Sequence, residues 1–147
     1  MTKKRELWLA FAEDELTCMV SVNDAPGGSY LEIELSGMLT PARAYVWNLV
    51  MDVVDNATFD SIFLNVKKLT FFTGHTVNDC AIDLLLRFVS TFSRLDKQLH
   101  LLLEDGCIKE VLTQALPEKK FRSVDIGDQQ ATLRAKSRLE RNATLHH

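Results

Sequence analysis

Two threonines, a histidine and an aspartate crowd one short polar stretch, Thr73-Gly74-His75-Thr76 followed by Val77-Asn78-Asp79. The hydroxyls of Thr73 and Thr76 are candidate phosphorylation sites, and a phosphate there adds about −1.5 to −2 charges. If a helix starts just beyond, its free N–H groups and its dipole tolerate that charge, while an acidic partner surface is repelled. The plainer reading is that Thr76 caps the helix and Gly74 permits a tight turn. His75 has the chemistry of a general base, a ligand or a pH-sensitive contact, although a lone loop histidine is otherwise simply exposed. The same stretch also serves as a docking surface with no phosphate at all.

Elsewhere the reactive residues are scattered. His100 sits in the apolar run Leu99–Leu103, and neither it nor His75 has a neighbour at metal-ligand spacing, so no metal and no cofactor is expected. Cys18, Cys80 and Cys107 are odd in number and far apart, which suits reduced thiols in a cytoplasmic protein. Cys80 and Cys107 fall near helix starts, where a thiol pKa is lowered, but burial raises it, and packing is their simpler role. Lys67-Lys68, Lys119-Lys120 and the basic stretch Arg134–Arg141 are solvated faces by default and otherwise contacts for an acidic partner or anionic lipid. They lack the interleaved aromatics of a nucleic-acid site. No GxSxG, Walker loop, GxGxxG or HExxH occurs, so the expectation is a protein that is not an enzyme.

A net charge of −3 over 147 residues, with 46% hydrophobic and 25% charged residues, is ordinary for one globular domain. No apolar run approaches the roughly 20 residues that cross a bilayer. The basic start, Met1–Trp8, lacks the apolar core of a signal peptide. His146-His147 is assigned no function.

The elements that must position the polar turn follow from periodicity. Lys3–Glu15 reads as a short helix or a strand: Leu7, Leu9 and Phe11 alternate, but Trp8 and Ala10 blur the pattern. Leu16–Val22 alternates as a strand, Asn23–Ser29 is a loop, and Tyr30–Ser36 is a strand with Leu31, Ile33 and Leu35 opposite Glu32 and Glu34. Thr40 as N-cap and Pro41 in the first turn open a helix to about Asn56, with Val46, Leu49, Val50, Val53 and Val54 facing a core. Ser61–Val66 is nearly all apolar, as a central parallel strand is. A second helix begins near Thr76, where Thr76 and Asp79 have capping-box spacing, and ends near Asp96-Lys97. Its core face carries Val77, Cys80, Ala81, Leu84, Leu85, Phe88, Val89, Phe92 and Leu95. Leu99–Leu103 is a buried strand, and Asp105 or Gly106 opens a third helix with Ile108, Val111, Leu112 and Ala115 inward and Pro117 as its stop. Phe121–Ile126 is a last strand, and Asp128 caps a final helix to about Asn142. The alternation predicts an α/β fold with a mixed central sheet of about four to six strands and about four helices, a single domain with residues 1–15 as an N-terminal extension and residues 128–147 as a C-terminal helix or tail.

This order resembles the STAS domain, the anti-sigma-factor antagonist family, over about Leu16 to Ile126. Leu31–Thr40 is similar to the family's strand and Gly-x-Leu turn, Ile62–Phe72 to its central strand and turn, and Leu99–Glu104 with Gly106 to its second half. The family's turn reads Asp-Ser-Ser-Gly, or Asp-Thr-x-Thr in stressosome members, and carries a serine or threonine phosphorylated by a partner kinase. Laid on this chain, the Asp position holds Thr73, the acceptor position holds Gly74, His75 follows, and Thr76 matches the second threonine. The resemblance implies a bacterial signalling module that works by protein–protein contact without the standard Ser/Thr switch. The longer second helix also resembles the broader sporulation-antagonist-like (SpoIIAA-like) group.

The expected docking face is Thr73, Gly74, His75, Thr76, Val77, Asn78 and Asp79 with the Gly37–Thr40 turn, facing a protein partner such as an anti-sigma-type kinase. A second reading is a carrier or sensor of a lipid or nucleotide, with Phe63, Phe71, Phe72, Phe88 and Phe92 lining a pocket. A third is a homodimer formed through a strand edge near Leu16–Val22 or through the final helix.

Overall fold

The computed structural model describes residues 4–13, 15–95, 97–115 and 124–141. Over these residues the chain folds as a mixed six-stranded sheet with four helices and a small two-stranded hairpin. Three antiparallel strands come first: β1 (Lys4–Glu13), β2 (Leu16–Ala25) and β3 (Gly28–Gly37). Next come α1 (Val46–Asn56), β4 (Ser61–Leu69), the hairpin strands β5 (Phe72–Thr73) and β6 (Thr76–Val77), and α2 (Asp79–Arg94). The remaining elements are β7 (Gln98–Leu102), α3 (Gly106–Ala115), β8 (Val124–Gly127) and α4 (Gln129–Arg141). The sheet order is β1-β2-β3-β4-β7-β8, with parallel pairing from β3 to β8. The predicted α/β class, strand number and helix number are what the fold has.

Alternation divides the sheet into two unequal faces. Leu16, Cys18 and Val20 on β2, Leu31, Ile33 and Leu35 on β3, and Ile62, Leu64 and Val66 on β4 are all buried in one core. α1, α2 and α3 close that core with Val46, Val50, Leu85, Phe88, Phe92, Ile108 and Leu112 among others. The opposite face carries a smaller cluster of Tyr30, Phe63 and Ala135, against which Leu139 packs, so α4 covers this side.

Several boundaries differ from the expectation. Lys4–Glu13 is a strand and forms one edge of the sheet, β8 forming the other. Leu16–Val22 is therefore no edge, because β1 and β3 flank it. Pro41 opens only a single 3₁₀ turn (Pro41–Arg43), and α1 starts at Val46. Thr40 makes no side-chain cap, since its Oγ1 accepts a bond from the Arg43 guanidinium at 3.1 Å. α2 starts at Asp79, not Thr76: Thr76 is held in β6, which removes the capping box and leaves Val77 exposed. Leu95 lies just past the last turn of α2 and is exposed, and Val111 sits beside the Ile108–Leu112 stripe and is exposed too. Asp105 and Asp128 do cap, accepting bonds from the N–H groups of Ile108 (3.0 Å) and Ala131 (2.9 Å). Pro117, Lys119, Lys120, Phe121 and Asn142 lie outside the described residues.

Candidate functional site

The polar turn folds as a hairpin. Phe72 pairs with Val77 and Thr73 with Thr76, leaving Gly74-His75 as a two-residue loop. Gly74 has φ +64, the left-handed value that the tight hairpin turns need at such a position. The signal was present in Phe-Thr-Gly-His-Thr-Val: an aromatic and β-branched residues flank a loop containing glycine. Opposed residues of an antiparallel pair share a face, so the hairpin has an apolar face (Phe72 and Val77) and a hydroxyl face (Thr73 and Thr76). Residues 72–77 are all exposed, Phe72 at 38% and Val77 at 44%.

Its base is fixed from both ends. Phe71 is buried in the main core immediately before the hairpin. Asn78 follows it, and its backbone N–H donates to the Phe71 carbonyl at 2.7 Å. The Asn78 side-chain amide donates to the carbonyls of Leu39 and Thr70, both at 3.1 Å, and approaches Met38 Sδ at 3.4 Å. Thr70 N–H in turn donates to the Gly37 carbonyl at 2.8 Å. Asn78 thus occupies the position of a helix cap but clamps the loops after β3 and β4 together. Gly37 is held in this junction at φ +98, where a Cβ would lie 1.6 Å from the Glu15 carbonyl oxygen.

The expected site residues therefore separate by role. Thr73, Gly74, His75, Thr76 and Val77 stand together on the hairpin, and Asp79 is exposed at the first turn of α2. Asn78 is half-buried and directed into the loops. The Gly37–Thr40 turn is half-buried to buried and offers less surface than expected. Beside it, a groove of about 210 Å³ runs between the Pro41 turn and α2, lined by Leu39, Pro41, Ala44, Cys80, Asp83, Leu84 and Arg87.

Comparison with protein-family models and with curated proteins finds no match for this chain. The site must therefore be weighed on its geometry.

On the opposite face the titratable groups are engaged with the packing of α4. Lys136 pairs with Glu32 at 3.0 Å and lies over the Phe63 ring at 5.4 Å. His100 stacks on Phe63 with centroids 4.5 Å apart, and its Nδ1 is 3.5 Å from Asp125. Burial lowers the His100 pKa, Asp125 opposes that shift, and Arg138 reinforces it. Cys18 is buried in the core, and burial lifts its thiol pKa to about 12. Cys80 is half-buried and Cys107 exposed. Lys67 is exposed, as expected of a solvated face, and it also donates to Gln129 Oε1 at 3.1 Å, linking β4 to the start of α4.

The aromatic set is not brought together. Phe71, Phe88 and Phe92 are in the main core, Phe63 is on the other side of the sheet, and Phe72 is exposed. Among the described residues no helix is long and apolar enough to cross a membrane, and no group of His, Cys, Asp or Glu is placed to hold a metal.

Proposed function

We propose that this chain is a non-catalytic regulatory module of the anti-sigma-factor-antagonist kind, acting through a protein partner that docks on the β5–β6 hairpin and the start of α2. One observation carries the reading. The hairpin holds Phe72 and Val77 side by side in solvent, on a base clamped by Phe71 and Asn78, near the carboxyl ends of the parallel strands. In open α/β sheets that end is where ligands and partners bind.

Magnitudes define how large the docking face must be. Covering what remains exposed of Phe72 and Val77 releases about 1–2 kcal/mol. A micromolar complex needs about 8 kcal/mol. The partner must therefore also cover the adjacent groove, with the hairpin as its apolar anchor. Asp79 already occupies the positive end of α2, so a phosphate on Thr76 would meet a like charge there. This favours docking of the unphosphorylated hairpin, with phosphorylation at Thr73 or Thr76 weakening it.

The test is a pair of variants at exposed positions. Phe72→Ser with Val77→Ser should reduce capture of the partner from lysate and weaken its binding once purified by about five- to thirtyfold. Leu133→Ser, on exposed α4 surface, should leave both intact. A purified partner that binds all three proteins equally would place the docking face elsewhere.

A further inference from the structure

β1 presents ten residues of backbone, Lys4–Glu13, with β2 on one side and no strand among the described residues on the other. Sheet edges that stay unpaired are blunted by charge, proline or a covering element. The middle of this edge, Leu7-Trp8-Leu9-Ala10-Phe11-Ala12, contains no charged residue and no proline. Leu7 is 53% exposed and Trp8 40%. Among the described residues this middle stretch is blunted by a bulge between Leu7 and Leu9, and charged positions stand only toward the ends of the strand.

That bulge determines how the edge can pair with itself. Before it, Glu6 shares the core face with Val22, and Arg5 and Leu7 share the other face with Asn23 and Ser21. After it, Leu9 and Phe11 take the core face with Val20 and Cys18, and Ala10 and Ala12 take the other. Two copies related by a two-fold axis must bring like faces together. The register that does so over the whole strand sets Lys4 opposite Glu13, Arg5 opposite Ala12, Glu6 opposite Phe11 and Leu7 opposite Ala10. A slip of one residue would put these residues on opposed faces. In the matched register a basic sequence position meets an acidic one at both ends, Glu6 meets Phe11, Leu7 meets the small Ala10, and Trp8 and Leu9 meet at the two-fold axis.

We propose that a second copy of this chain pairs antiparallel along β1 about a two-fold axis, joining two sheets into one. The pairing lies at the sheet's outer edge, away from the β5–β6 hairpin, and does not depend on that hairpin's role.

Sedimentation velocity of the full chain over a concentration series tests it. The wild type should shift from monomer toward dimer as concentration rises. Leu7→Lys with Ala10→Lys places lysine opposite lysine twice per dimer and should weaken self-association at least about tenfold. Leu7→Lys with Ala10→Glu restores unlike charges in the same register and should recover most of that loss. Both positions are exposed, and matching unfolding midpoints will show that the variants stay folded. A monomer at every concentration overturns the proposal, as does a dimer indifferent to the lysine pair. A charge-swapped variant as weak as the lysine pair overturns the register.

Discussion

The junctions ahead of α3 and α4 use their polar side chains differently from those ahead of α1 and α2. Asp105 and Asp128 each bond an N–H of the helix they precede, an interaction that closes within three residues. Thr40 and Asn78 stand at the corresponding positions of the 3₁₀ turn and α2, and neither caps. Thr40 accepts from Arg43, while Asn78 reaches across to Leu39 and Thr70. The junctions with local caps are simple turns. Where the cap is given up, two loops are tied together and a hairpin projects from the tie. A polar residue that breaks a local rule points to tertiary work being done at that place, which is where candidate sites concentrate.

The sharpest contrast within the tied junctions is between two glycines. Gly37→Ala forces a Cβ to 1.6 Å from a backbone oxygen at φ +98, so β2, β3 or the loop must move. We expect a loss of at least about 3 kcal/mol, read as a lowered urea midpoint. Gly74 has nothing within 4 Å of the same added atom. Gly74→Ala therefore meets only the left-handed backbone penalty, about 1 kcal/mol, confined to a loop the core does not need. Equal losses at the two positions would mean that the hairpin is part of the folding unit and not a projection from it.

Asn78 allows the clamp to be separated from the cap. Asn and Asp cap helices about equally well, so Asp128→Asn should change stability by no more than a few tenths of a kcal/mol. Asn78→Asp removes both N–H donors and sets a carboxylate against two carbonyl oxygens. It should cost about 2 kcal/mol, more than Asn78→Ala, because two carbonyls lose their partner and gain a repulsive one. If Asn78→Asp proves neutral in the same urea titration, Asn78 is an ordinary cap and the loops are held by something else.

How far the sequence revealed this depended on the range of the interaction. β4 and β7 were legible as short apolar runs, and the core stripes of α1 and α2 by their helical period, because burial constrains residues close in sequence. Asp105 and Asp128 were legible because capping is local. The start of α2 was misplaced because Thr76 and Asp79 satisfy the capping spacing, yet Thr76 is paired across a hairpin with Thr73. Nothing near Asn78 in sequence shows that Leu39, some forty residues earlier, supplies its acceptor. The polar stretch Thr73–Asp79 read as one continuous segment, and its division into exposed hairpin and inward clamp depends on loops far apart in sequence.

The face under α4 extends the comparison to pH, with the smallest effect. His100 is stacked on Phe63 and lies beside Asp125, and burial lowers its pKa from 6.5, with the Arg138 charge acting in the same direction. Well above pH 6.5 the imidazole is neutral in both folded and unfolded chains and its contribution to stability is constant. As pH falls below 6.5 the unfolded chain takes up the proton first, so stability declines until the folded form is protonated too. His100→Gln should flatten that decline, so that the difference between variant and wild type changes with pH below 6.5 and is a constant packing offset well above it. The hairpin variant Gly74→Ala should show the wild-type slope, displaced by a constant amount, because the charges that act on His100 are Asp125 and Arg138 and the substitution alters neither. Parallel profiles for His100→Gln and the wild type would mean that the imidazole is hydrated and that α4 does not seal this side of the sheet.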